Sequence, residues 1–215
     1  MFTDLLKIIS FIKDSVKDLS KLNASSERKA ALLEMLKTYF YLYDAHVDGV
    51  KLLESVDSDP VNYIKTLGDE SLKAYLNVWD QVLRRQGIRL YNTQEFITSQ
   101  SYLAIINPSA VENISKVIGY KMDRLVTLHG LGAGLFFRNV FPIEETPETL
   151  ASLVLQVLTK QDTGLVDKVV VQRELDDLKN SLDDFRAMIE ASMENKEILE
   201  LSKEAREATQ LVASA

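Results

Sequence analysis

A chain of 215 residues, 46% of them hydrophobic and 27% charged, is large enough to close a core of its own without staples. The absence of cysteine excludes a disulfide framework and a thiolate metal site, and it fits a reducing compartment. The formal net charge of −7 is uneven: residues 143–215 hold 16 Asp+Glu against 8 Lys+Arg, whereas residues 1–142 hold 16 against 17, so the acidic third repels phosphate backbones and nucleic acid is left open only for residues 1–142.

The opening stretch carries Asp4, Lys7 and Lys13 where an export signal needs an unbroken apolar run. The longest apolar stretch, Leu125 to Phe137, is too short to span a bilayer and contains His129. No transmembrane segment is therefore expected, and the expected location is the cytoplasm.

Apolar residues recur at helical spacing almost throughout. A first helix is expected over about Thr3 to Leu22, with Phe2, Leu5, Ile9, Ile12, Val16 and Leu19 forming a narrow heptad seam. Asn23-Ala-Ser-Ser is a capped break. A second helix then runs to about Val56. Its line Leu32, Leu36, Tyr39, Tyr43, His46, Val50 and Leu53 is widened by Leu33, Phe40 and Val47, the mark of a central helix touching several others. Ser58-Asp59-Pro60 starts a short helix that ends at Gly68. Asp69 can cap the next, which buries Leu72, Tyr75, Leu76, Trp79, Val82 and Leu83 and ends or kinks at Gly87. Asn92 and Glu95 have capping-box spacing and predict a separate helix to Ile106. Asn107-Pro108 opens a further helix that buries Val111, Ile114, Ile118, Met122 and Leu125.

Three glycines, Gly130, Gly132 and Gly134, then fall within five residues, a flexible or lid-like loop flanked by Leu131, Leu135, Phe136 and Phe137. A phosphate-binding loop would need a preceding strand, and none is predicted. Beyond Pro142 and Pro147, a helix holds Leu150, Leu153, Val154, Val157 and Leu158. After Gly164 the pattern changes. Val171, Leu175, Leu178, Leu182, Phe185 and Ile189 form one heptad seam, and Ile198, Leu201, Ala205, Ala208 and Val212 form a second, out of register with the first. A kink or hairpin near Glu194-Asn195 resolves the mismatch. The predicted fold class is all-α: a multi-helix bundle over residues 1–160, then a long amphipathic, coiled-coil-like helix or helical hairpin over 165–215.

Candidate chemistry is sparse. Asp44-Ala-His-Val-Asp48 looks like a metal cluster, but on a helix Asp44 and Asp48 share a face and His46 turns away, so His46 reads as a core-edge histidine. Asp176-Asp177 and Asp183-Asp184 sit opposite the leucine seam and read as a solvated face. Arg84, Arg85 and Arg89 are the tight basic group; phosphate and the chain's own acidic third are both open as their partners. Arg124 and His129 have the spacing Arg-x4-His, which is similar to the ribonuclease motif of HEPN domains, helical bundles that often act in toxin–antitoxin and antiviral systems. The resemblance implies an RNA-cleaving cleft, commonly completed by dimerisation, in which Arg124 holds a phosphate and His129 moves a proton. It rests on those two residues and the helical setting, and Leu125 stands where the family often has a polar residue. Otherwise His129 continues the Met122–Leu125 core line.

Neither a metal nor a cofactor is expected. The leading expectation is a non-enzymatic protein-interaction module, an adaptor, regulatory or structural subunit. It would bind a protein or itself through Leu175, Leu178, Leu182, Phe185, Ile189, Ile198 and Leu201. The alternatives are a HEPN-like ribonuclease using Arg124 and His129, and membrane-surface binding through residues 130–141.

Overall fold

The computed structural model describes residues 3–22, 24–55, 57–59, 62–63, 66–98, 102–119 and 167–213, and every regular element among them is a helix. In chain order these are α1 (Thr3–Val16), a 3-10 extension (Lys17–Lys21), α2 (Ser25–Ser55), α3 (Asp69–Thr98), α4 (Tyr102–Ile106), α5 over 108–119, α6 (Lys168–Glu190) and α7 (Asn195–Ala213).

The first helix does not stay α-helical to Leu22. Its last turn tightens to 3-10 geometry, and Leu22 leaves in an extended conformation after donating its N–H to the Leu19 carbonyl at 3.2 Å. The tighter turn satisfies a terminal carbonyl while the chain swings towards α2. Lys21 reaches the Ile106 carbonyl at 3.4 Å, placing a cation at the C-terminus of α4. At the start of α2, the Glu27 carboxylate accepts the Ala24 N–H at 3.4 Å, one half of a capping box.

Helix α2 is the hub. It buries Leu32, Leu36 and Tyr39 on the expected line, and also Met35, Thr38, Leu42, Ala45 and Asp48 on other sides. A helix buried nearly all round must be enclosed by neighbours. Helix α6 packs on α1 and α2, α7 packs on α2 and α3, and α4 covers another side of α2. The side chains of α1, α2, α6 and α7 form one core cluster, joined by Leu90 and Ile97 of α3 and Ile114 and Ile118 of α5.

Two expected breaks are absent. Helix α3 runs unbroken through Gly87 and Asn92 to Thr98, and the separate helix is only Tyr102–Ile106. A lone glycine weakens a helix by only about 1 kcal/mol. Here its flanks are pinned to α2: Val82, Gln86, Arg89, Leu90, Thr93 and Ile97 make a continuous buried stripe across it. Asn92 lies within that helix, so its spacing to Glu95 marks no start.

The C-terminal pair divides near the register change. The Asp167 carboxylate caps α6 by accepting the N–H groups of Val169 and Val170 at 3.0 and 3.1 Å. The helix ends in a turn at residues 191–194, where Ser192 and Met193 donate back to Ile189 and Glu190. Helix α7 starts at once, with Ile198 donating to the Glu194 carbonyl at 3.0 Å.

Candidate functional site

Asp44 and Asp48 stand one turn apart on α2, surrounded by Tyr41, Leu42 and Ala45. Asp48 is only 3% exposed. A carboxylate that deep persists only with charged or hydrogen-bonding partners. Helix α3 supplies them from its own adjacent turns. Arg85 donates from Nε and Nη2 to the two Asp48 oxygens at 3.5 and 3.4 Å. Arg89 pairs with Asp48 through Nη1, which also donates to the Asp44 carbonyl at 3.2 Å. Between them, Gln86 donates to the Ala45 carbonyl at 3.4 Å.

Asp44 turns to the other neighbour. Arg206 of α7 places Nη1 2.9 Å from both Asp44 carboxylate oxygens. Its guanidinium also lies 5.2 Å from the Phe40 ring centroid, a cation–π distance. Phe40, Asp44 and Asp48 follow one another at intervals of four, so a single edge of α2 receives α7 through its first two members and α3 through its last. Three guanidinium groups meet two carboxylates there. The Nε of Arg89 is buried without a hydrogen-bond acceptor.

His46 belongs to a different surface. Its ring lies 6.4 Å from that of Tyr43, and its Nδ1 is buried without a partner. Burial pushes its pKa below the ordinary histidine value; Lys179 of α6 adds to this, while Asp176, Asp183 and the Leu175 carbonyl oppose it. Asp44, His46 and Asp48 thus address α7, α6 and α3 and do not converge. Among the described residues no group of three or more His, Asp or Glu is placed to hold a metal ion.

Two members of the basic group of α3, Arg85 and Arg89, are engaged by Asp48, and Arg84 is exposed. The sequence did not reveal Arg206 as a participant. The available signal was a pair of aspartates four apart on an otherwise apolar helix, since such acids need cations brought to them. Burial also shifts two tyrosines: Tyr75, whose ring meets Tyr63 edge-on at 5.4 Å, is pushed up to about 12, and Tyr41, one turn before Asp44 on α2, is raised with a further contribution from Glu95.

The predicted partner-binding seam is occupied by the chain itself. Leu175, Leu178, Leu182, Phe185, Ile189 and Leu201 are fully buried in the common core, and Ile198 is half-buried. Phe185 meets the Tyr39 ring edge-on at 6.4 Å. The heptad spacing was a sign of burial, and α1 and α2 provide the covering surface. The outer side of α6 keeps Asp176, Asp177, Asp183 and Asp184 exposed. Some of these are engaged, as in Lys179–Asp183 at 2.6 Å and Lys13–Asp184 at 3.3 Å. Arg124, His129, Gly130, Gly132, Gly134 and the 130–141 segment lie outside the described residues. Among the described residues no helix is long and apolar enough to cross a membrane.

Comparison with known protein families, with characterised proteins and with solved structures finds no match to this chain.

Proposed function

We propose that the chain is a non-enzymatic helical interaction module, a regulatory or structural subunit that binds a basic protein surface through the outer side of α6 and α7. What supports this reading is the division of those helices into an inner side buried on α1, α2 and α3 and an outer side rich in exposed acids. The outer side offers Asp176, Asp177, Asp183 and Asp184 on α6, Glu204 and Glu207 on α7, and Leu199 at 75% exposure. Acidic surfaces steer and select basic partners more than they tighten binding.

Removing α6 and α7 is a poor test, because it takes Phe185 from the Tyr39 ring and the rest of the α6 row from the common core. The cleaner variant is Asp177→Lys with Glu204→Lys, two exposed positions. A protein captured by the full chain would be purified and its binding to wild type and variant measured against salt. The expected result is weaker binding to the variant and a shallower salt dependence. Equal affinity of a reconstituted partner for both proteins, or no binding on reconstitution, rejects the proposal.

A further inference from the structure

The two C-terminal helices are held to the bundle by different forces. Helix α6 buries Leu175, Leu178, Leu182, Phe185 and Ile189, a continuous row of large apolar side chains. Over its described side chains, α7 buries Leu201, Ala205 and Thr209, only one of them large and apolar. Polar contacts stand in for the missing bulk. Arg206 clasps Asp44 at 2.9 Å, Lys29 of α2 meets Glu200 at 3.3 Å, and Arg28 donates to the Ser192 carbonyl in the turn at 3.0 Å. The Lys29–Glu200 pair is well exposed to solvent, and Arg206 is about one-third exposed. The two helices also have separate seats: α6 lies on α1 and α2, α7 on α2 and α3, with little contact between them. Among the described residues, the apolar row of α6 is seated on α1 and α2.

We propose that α7 is an electrostatic latch, docking and undocking on α2 as a unit about the 191–194 turn while α6 stays in the core. Elements with little apolar burial and solvent-accessible polar contacts open at lower free energy than the global transition. Undocking uncovers Phe40 and Asp44, an aromatic ring beside a carboxylate that no longer has its cation. The device does not depend on the outer acidic surface of the preceding section.

Native-state hydrogen exchange of the full chain tests this, read at residues 199–206 of α7 and 175–189 of α6. The first window lies away from the last turn of α7, where fraying alone would speed exchange. The expected result is exchange in α7 at least about tenfold faster than in α6. Raising KCl to about 0.5 M should speed α7 alone, because the Debye length then falls to a few ångströms. Arg206→Met, which keeps the alkyl stem, should speed α7 by about tenfold and leave α6 unchanged. Salt dependence of the wild type carries the test if that variant fails to fold. Equal protection of α6 and α7, changing together with salt, overturns the proposal.

Discussion

The Asp48 cluster makes the most demanding prediction. Asp48→Ala removes a carboxylate that is 3% exposed and leaves Arg89, 11% exposed at its side chain, without its ionic partner. Breaking a buried pair by deleting one member costs about 3–5 kcal/mol, chiefly because the remaining charge is stranded. Two features place the expected value at the lower end. Arg85 is 34% exposed at its side chain and can turn to water, and Arg89 keeps the Asp44 carbonyl. The expected loss is therefore about 3 kcal/mol, or a fall in Tm of roughly 6–12 °C for a chain of this size. Urea unfolding gives the free energy, provided the m-value is unchanged. Arg89→Met alone should also destabilise, by stranding Asp48. The double variant Asp48→Leu with Arg89→Met should be more stable than either single one, because two apolar side chains then meet where two charges met. Two single variants within about 0.5 kcal/mol of wild type, or a double variant as unstable as their sum, would refute the reasoning.

Three further outcomes follow from other sites. Gly87→Ala should stabilise by about 0.5–1 kcal/mol in urea unfolding, because Gly87 lies within α3 and an added Cβ meets no atom within 4 Å; destabilisation would show that the glycine answers a packing need. Leu182→Ala should cost about 2–5 kcal/mol and leave the mass of the native protein in solution unchanged, because the seam is internal packing; a small cost together with a fall in native mass would show that a second copy covers it. His46 has a lowered folded-state pKa, so below the unfolded-state value of 6.5 the unfolded chain takes up the proton first. The His46 contribution is therefore complete above that pH and declines as pH falls through it. His46→Gln should lose less stability than wild type between about pH 7.5 and 5.5, and an equal or larger loss would contradict the assignment.

Much of the fold is written in local periodicity, and the site is not. The five buried residues of the α6 seam recur at heptad spacing, so their need for a covering surface could be read directly, as could the turn forced by the register change before Asn195. What spacing cannot say is which surface covers a seam. That surface is α1 and α2, more than a hundred residues earlier in the chain, and only the closed structure brings them together. Local signals also misled where tertiary packing was stronger. Gly87 and the Asn92–Glu95 spacing are ordinary boundary marks, yet the helix runs on through them with its stripe from Val82 to Ile97 buried. The aspartate–arginine cluster was half legible. Asp44 and Asp48 were seen on one face, and Arg85 and Arg89 as a basic group, but periodicity does not encode pairing between elements 37 to 162 residues apart.

The position of that cluster suggests why charges are kept in such an apolar helix. Helix α2 is buried on many sides, and apolar contacts alone tolerate a neighbour sliding by a turn, because leucines and alanines on adjacent turns offer similar surfaces. Ion pairs do not tolerate this. A one-turn slide of α7 would move Arg206 about 5.4 Å along the axis, beyond reach of Asp44, and the same slide of α3 would strand Asp48. On this hypothesis Asp44 and Asp48 fix the registers of α7 and α3 against a hub that would otherwise accept several. Asp44→Leu, Asp48→Leu, Arg89→Met and Arg206→Met combined should then leave a helical protein of undiminished thermal stability whose amide NMR spectrum is broadened or doubled in α3 and α7. A single sharp set of resonances from the fourfold variant would show that the apolar contacts set the register unaided.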